Sequence, residues 1–290
     1  MKKILITGAG SYIGTSVEKY LKKWPEKYQV NTVDMTDGDW RLNDFSVYDT
    51  VCHVAGIAHV DTGHVSAERN AFYYKINTDL AIETAKKAKL DGAKQFIFMS
   101  SAIVYGDSAP IGKKKVIKNG TPTSPASFYG DSKVKAEKGI LPLQDDSFKV
   151  AILRLPMIYG KGSKGNYPVL AKVAQKSPLF PYVDNQRSML YIENLCEFVR
   201  LIIENKEAGI FHPQNGEYSN TTELVKLIAA AHGKRIIIIH GLGGGLKLMS
   251  HFTRLVNKAF GSLCYDKNIS EYKENYRIYG LKESIERTEQ

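Results

Sequence analysis

An apolar run, Ile4-Leu5-Ile6, stops at Thr7-Gly8-Ala9-Gly10-Ser11-Tyr12-Ile13-Gly14, and helical periodicity then resumes through Leu21. A strand that passes through a glycine-rich turn straight into a helix is the opening of a βαβ unit, so it restricts the chain to a parallel α/β sheet. In such a turn Gly8 permits the tight bend, Gly10 lets the backbone approach a diphosphate, and Gly14 allows the helix to pack on the sheet. The free N–H groups and positive dipole end of the helix then face the phosphates. Asp34, twenty residues after Gly14, ends a second strand-like run, Tyr28–Asp34. A carboxylate there accepts hydrogen bonds from the ribose hydroxyls of NAD and repels the 2′-phosphate of NADP. The expected cofactor is NAD, with NADP less favoured.

The pattern continues. Val51–Ala55, Gln95–Ser100 and Lys149–Leu155 read as buried strands, with helical stretches at Ser66–Leu90 and Ser127–Leu141 between them. This alternation predicts a Rossmann-type doubly wound parallel sheet over residues 1–156. After Tyr159 the chain turns to loops rich in Gly, Pro, Lys and Tyr, with helices near Glu193–Asn205 and Thr221–His232. Residues 157–188 and 213–290 are expected to form a smaller substrate-binding cap, and residues 189–212 to return to the first domain, so that the two interleave. Cys52, Cys196 and Cys264 lack metal-ligand spacing and read as reduced thiols. His59 and His64 lack a carboxylate or cysteine partner at ligand spacing, so no metal site is expected. The apolar run after Met1-Lys2-Lys3 is too short for a signal peptide, which predicts a cytoplasmic protein.

Two segments carry the chemistry. Tyr129-Gly130-Asp131-Ser132-Lys133 puts Tyr129 and Lys133 one helical turn apart on the same face. Phe96–Ser101 is a buried strand that delivers a hydroxyl at its C-terminal end. A phenol normally ionises near pH 10. A neighbouring ammonium and a cationic nicotinamide would both stabilise the phenolate and bring its pKa into a useful range. Ser101 would then hydrogen-bond the substrate oxygen while Tyr129 exchanges its proton.

The ordered segments TGAGSYIG, HVAG, FIFMSSAIVYG, YGDSK, LRLPMIYGKG and RSMLYIEN resemble the extended short-chain dehydrogenase/reductase family, within it the NAD-dependent epimerase/dehydratase group. The resemblance implies that Ser101, Tyr129 and Lys133 are catalytic. It also implies that Gly8, Gly10, Ser11, Tyr12, Ile13, Gly14 and Asp34 hold the adenosine diphosphate end of the cofactor. Asp39 and Trp40 would lie near adenine, and Val54, Ala55 and Gly56, with Ser100 and Pro156, would line the cofactor. Asn77 would brace the sheet near the active site. Three departures stand out. Ser11 replaces the family's middle glycine, the stretch from Asp34 to Val51 is short enough to lack a helix, and Met157 stands where many UDP-sugar epimerases carry a uridine-contacting asparagine.

Lys161–Asn166 and Asn185–Ser188 look like the nucleotide-sugar segments of relatives serving surface-polysaccharide synthesis. Arg187 is the candidate for the UDP diphosphate, because a guanidinium forks two bonds to phosphate oxygens, and Asn166 could donate to uracil or phosphate. The lysine run Lys113–Lys115 reads as solvated surface. In sugar-nucleotide 4,6-dehydratases an acidic pair follows the catalytic hydroxyl residue, whereas here Ser101 is followed by Ala102-Ile103-Val104, which disfavours dehydration. What remains is 4-epimerisation of a UDP-hexose or UDP-N-acetylhexosamine with retained NAD, or NAD(P)H-dependent reduction of a UDP-4-keto-6-deoxy sugar. A non-catalytic NAD-binding sensor is the different-class alternative, and an intact Ser-Tyr-Lys set argues against it. A homodimer is expected by resemblance alone. The net charge of +10 would also suit nucleic acid, but no aromatic-basic recognition motif accompanies it. Residues 241–260 carry Lys247, His251, Arg254 and Lys258 opposite an apolar face. That pattern would suit an anionic membrane surface and, more plainly, a cap helix that packs its stripe inward.

Overall fold

β1 (Lys2–Thr7) runs into the glycine turn and out into helix α1 (Tyr12–Leu21), as the sequence requires. In the computed structural model, which describes residues 1–57, 66–241 and 260–290, the strands that follow are β2 (Tyr28–Val33), β3 (Thr50–His53), β4 (Gln95–Ser101), β6 (Lys149–Leu155) and β10 (Gly209–Phe211). With β1 they form a six-stranded sheet in the order β10-β6-β4-β3-β1-β2. Every pairing in it is parallel. Parallel pairing demands crossover helices, and these bury both faces of the central strands. Accordingly Ile4, Ile6, Val51, Cys52, Phe96, Ile97, Phe98, Val150, Ala151, Ile152 and Leu153 are all fully buried. The expected doubly wound parallel sheet is present.

The short stretch between Asp34 and Val51 has a structural answer. Among the described residues no strand lies outside β2, which is the sheet edge there. Between β2 and β3 the chain makes only a short 3₁₀ turn, Asp39–Leu42. Trp40 and Phe45, both buried, supply the apolar cover there and pack into one cluster with Leu5, Val51, Ala81 and Ala85. Arg41 then ties the turn to Glu83 through two charge-assisted bonds, the Nη2–Oε2 one at 2.6 Å.

The long helical stretch after Ser66 contains a defect that period reading does not reveal. α2 (Ala67–Tyr74) and α3 (Leu80–Leu90) are joined by a π-turn, Lys75–Asp79, and Asn77 sits fully buried within it. An inserted residue of this kind re-aims side chains on a helix and is frequent at functional positions. α4 (Phe128–Ile140) starts at Ser127, whose hydroxyl accepts from the Gly130 amide.

The chain divides into two units. The first comprises residues 1–106, 122–155 and 195–213, and the second residues 107–121, 156–194 and 214–290. The expected boundaries placed 107–121 with the sheet. Here that segment carries β5 (Val116–Ile117), which pairs with β12 (Cys264–Tyr265), and Ala109 bridges Ser262. Within the second unit β7 (Met157–Tyr159) pairs with β9 (Met189–Tyr191), and β8 (Leu179–Pro181) pairs with β11 (Ile237–Ile239). These strands of two or three residues are too short to show a period in sequence. The unit is completed by helices α5 (Asn166–Lys176) and α7 (Thr221–Ala231) and by the C-terminal helix Leu281–Glu289. Helix α6 (Ile192–Glu204) leads back to β10, which pairs with β6. No helix among the described residues is long and apolar enough to cross a membrane. Most of the basic segment 241–260, and His59 and His64, lie outside the described residues.

Trp40→Ala would empty one of the largest buried sites in the sheet unit. Stability should fall by about 3–5 kcal/mol, measured as a drop in the urea midpoint with the slope unchanged.

Candidate active site

The glycine turn shows what it is shaped to hold. Gly8 takes φ of +87°, and a Cβ there would lie 2.9 Å from the Ala55 backbone at the end of β3, so only glycine lets the two loops meet. A Cβ on Gly10 would face open space, which leaves that side of the turn clear for an approaching group. Ser11, the departure from the family pattern, is accommodated as the N-cap of α1: it is extended (φ −71°, ψ 150°) and accepts from the Gly14 amide. A cap spends one of the first-turn amides, and those of Tyr12 and Ile13 precede the helical ladder. They and the dipole end form an anion cradle. The Tyr12 hydroxyl, by contrast, is buried without a hydrogen-bond partner. Asp34, just past the end of β2, is exposed, and its carboxylate accepts from the Thr36 amide and hydroxyl, each at 2.9 Å. These bonds lower its pKa, so it is an anion at neutral pH. The turn and its amides fit the diphosphate of a dinucleotide.

Two residues assigned to the cofactor by resemblance are otherwise engaged. Trp40 spends its indole in the core. The Ser100 hydroxyl donates to Glu137 and is not turned toward a ligand. Asp39 stands exposed at the start of its turn. Val54 continues β3, its amide donating to the Thr7 carbonyl at 3.3 Å. The next residues are clamped by Asn77, whose amide oxygen accepts from the Ile57 N–H at 2.8 Å and whose nitrogen donates to the Ile57 carbonyl at 3.1 Å. Asn77 also reaches the Ser132 hydroxyl at 3.4 Å, and Ser132 in turn bonds the Tyr129 carbonyl at 2.8 Å. The π-turn therefore ties the Gly56–Ile57 loop to α4.

Ser101 ends β4 at the C-terminal edge of the sheet and caps the short turn Ala102–Tyr105. A Cβ on Gly130 would come within 2.9 Å of the Ile103 carbonyl, so glycine at that position lets α4 press against the turn after β4. The Ser101 hydroxyl beside Tyr129 favours the phenolate. Burial acts the other way and is stronger, pushing the Tyr129 phenol up to about 12. The lowering expected from a nearby ammonium is not seen at Tyr129. Lys133 donates to the Met99 carbonyl at 2.9 Å and lies over the Phe98 ring at 4.6 Å. Burial lowers Lys133 to about 8, against the pull of Glu137.

Sequence reasoning missed the groups beneath this set. Arg154 on β6 pairs with Glu137 at 2.6 Å and donates to the Tyr105 hydroxyl at 2.6 Å. Tyr105 is bonded in turn to His212 Nε2 at 2.7 Å. The signal was present as an arginine inside the apolar run Lys149–Leu155 and a glutamate four residues beyond Lys133. His53 on β3 is also fully buried, stacked near Phe96 and Phe98, with Nδ1 bonded to Thr7 at 2.8 Å.

Asn166 and Arg187 belong to the second unit. Asn166 is the first residue of α5. Arg187 exchanges backbone hydrogen bonds with Ser219, and burial lowers its guanidinium pKa, which still leaves it charged at neutral pH. Pro156 opens the same unit, where β6 ends.

A glycine cradle for a dinucleotide, with serine, tyrosine and lysine gathered at the sheet's C-terminal edge, defines a nicotinamide-dinucleotide-dependent enzyme of the short-chain dehydrogenase/reductase type. The model of the NAD dependent epimerase/dehydratase family matches residues 4–214, and the chain belongs to that family. It is 31% identical over 257 residues to UDP-glucose 4-epimerase of Vibrio cholerae, a match covering 80% of this chain and 76% of that one. Its fold is similar to that of a dTDP-4-dehydrorhamnose reductase from Clostridium acetobutylicum, with TM-score 0.75, 20% identity and 99% and 98% of the two chains covered. It is also similar to UDP-glucuronic acid 4-epimerase from Bacillus cereus, solved with NAD, at TM-score 0.72, 18% identity and coverage of 98% and 96%.

His53 generates a pH prediction. Burial, with the Lys133 charge, lowers its pKa from 6.5 to about 3, so the folded chain binds fewer protons than the unfolded chain between those values. Stability is then lost as pH falls from about 6.5 toward 3. Denaturation midpoints followed over that range should fall less steeply for His53→Gln than for the parent.

Proposed function

We propose that the chain is an NAD-dependent 4-epimerase of a UDP-hexose or UDP-N-acetylhexosamine. The observation that carries this reading is the placement of Ser101, at the end of β4, beside Tyr129 on α4, with Lys133 one turn further along the same helix, at the edge of a unit shaped for a dinucleotide. Ser101 would orient the C4 oxygen of the sugar. Tyr129 would take the proton from that oxygen on oxidation and return it on reduction. To take that proton Tyr129 must be ionised, and the charge of a bound nicotinamide together with that of Lys133, held by the Met99 carbonyl, would have to offset the burial that raises the phenol. The bound nicotinamide would accept and give back the hydrogen at C4. In the second unit Arg187 would grip the diphosphate of the sugar nucleotide, and Asn166 would contact its uracil or phosphate. Asp34 supports NAD over NADP, because a second negative group beside an exposed carboxylate would be repelled.

Two further features support epimerisation. The residues after Ser101 offer no acid or base, since Ala102, Ile103 and Val104 form an apolar turn, and elimination of water would need one. The Vibrio cholerae relative is named for 4-epimerisation of UDP-glucose.

Purified protein should convert UDP-glucose or UDP-N-acetylglucosamine to the C4-inverted sugar without added cofactor, as followed by NMR of the product. Tyr129→Phe should lower kcat by about 10²–10⁴-fold while the chain stays folded. Stoichiometric consumption of NADH or NADPH with a UDP-4-keto-6-deoxy sugar, and no inversion of either hexose, would replace this reading with that of a reductase.

A further inference from the structure

Lys133 is a cation with 5% of its surface exposed, and such a charge persists in a low-dielectric site only if something opposite balances it. Phe98 and Met99 on β4 give it a ring face and a carbonyl. Tyr129, one turn earlier on α4, carries no charge as a phenol. His53 on β3, held neutral by burial, supplies no anion. Asn77 contributes only a neutral amide. The one carboxylate facing Lys133 among the described residues is Glu137, one turn later on the same face of α4 and itself only 3% exposed.

Glu137 is held from two sides. Arg154 on β6 donates from Nε at 3.2 Å to both carboxylate oxygens and from Nη2 at 2.6 Å, and the Ser100 hydroxyl on β4 donates to Oε1. Arg154 is itself fixed by Tyr105 at 2.6 Å. A carboxylate that pairs with Arg154 must lie on the sheet-facing side of α4. This one occupies the position i+4 from Lys133, at the strand level where Met99 receives the lysine.

We propose that Glu137 is a positioning residue for the reaction: clamped by Arg154 and Ser100, its carboxylate keeps Lys133 protonated and turned toward β4. The inference rests on the reading of Lys133 given under Proposed function, and it assigns Ser100 to the support of Glu137. The pair Glu137–Arg154 is neutral as a whole, yet the Glu137 charge still pulls the Lys133 pKa up. Burial already brings Lys133 to about 8 with Glu137 present. Loss of the carboxylate charge would carry it lower, into the range where the ammonium is partly lost at neutral pH.

The test substitutes Glu137→Gln, which keeps shape and one acceptor for Arg154 but removes the charge. NMR titration of the Lys133 side-chain resonance should place its midpoint about one pH unit lower than in the parent, and the alkaline limb of kcat should move down by the same step. At pH 8 the variant should then be about fivefold slower, and near pH 6 close to the parent. Should the glutamine variant fail to fold, Glu137→Asp, which draws the charge back by one methylene, must move both midpoints the same way by a smaller step. An unchanged Lys133 midpoint, with activity lowered equally at every pH, would overturn the proposal and leave Glu137 a purely structural ion pair. A shifted Lys133 midpoint in a protein that turns over none of the candidate sugars would instead count against the proposed reaction and leave the inference standing.

Discussion

A buried lysine is the constraint around which the first unit is organised. Desolvating an ammonium is costly, and the fold meets that cost with specific groups: the Met99 carbonyl, the Phe98 ring and, one helical turn away, Glu137. Two come from β4 and the third from α4 itself. α4 must therefore lie close to β4, and Gly130 makes that approach possible against the Ile103 carbonyl. The same approach brings Tyr129 to Ser101. The two hydroxyls are thus positioned as a consequence of how the cation is housed.

The opposite side of the site depends on the meeting of two loops at the C-terminal edge of the sheet. Gly8 and Ala55 pass within contact distance only because Gly8 has no side chain. Asn77, buried in a π-turn, then fixes the loop after β3 and reaches Ser132 on α4. Cofactor cradle and proton-handling set are thereby joined through one asparagine. Open α/β sheets place ligands at this edge because strand order changes direction there and loops diverge. In this chain the change falls between β1 and β3.

Much of this was legible before the structure. The glycine fingerprint, Asp34, the serine-bearing strand and the Tyr-x-x-x-Lys spacing are local patterns, and β1, β4 and β6 each carry an apolar run that reads directly. Less legible were features set by distant partners. The π-turn at Asn77 leaves the helical period nearly intact, so only the three-dimensional bonds reveal it. Trp40 stands beside Asp39 in a segment that resembles an adenine contact, yet the absence of an outer strand calls it into the core. Ser100 and Ser101 are adjacent hydroxyls, and strand alternation sends one toward Glu137 and the other toward Tyr129. The lowered phenol pKa expected from charge proximity was outweighed by burial at Tyr129, a balance that sequence spacing does not encode.

The account's central claim is that the hydrogen at C4 of the sugar leaves and returns within one closed site while Tyr129 handles only the proton on oxygen. The most direct measurement follows UDP-glucose bearing deuterium at C4 through conversion in ordinary water. The account predicts that the inverted product keeps the deuterium at C4. Loss of that label to solvent would contradict it, because inversion would then proceed by removal of a carbon-bound proton.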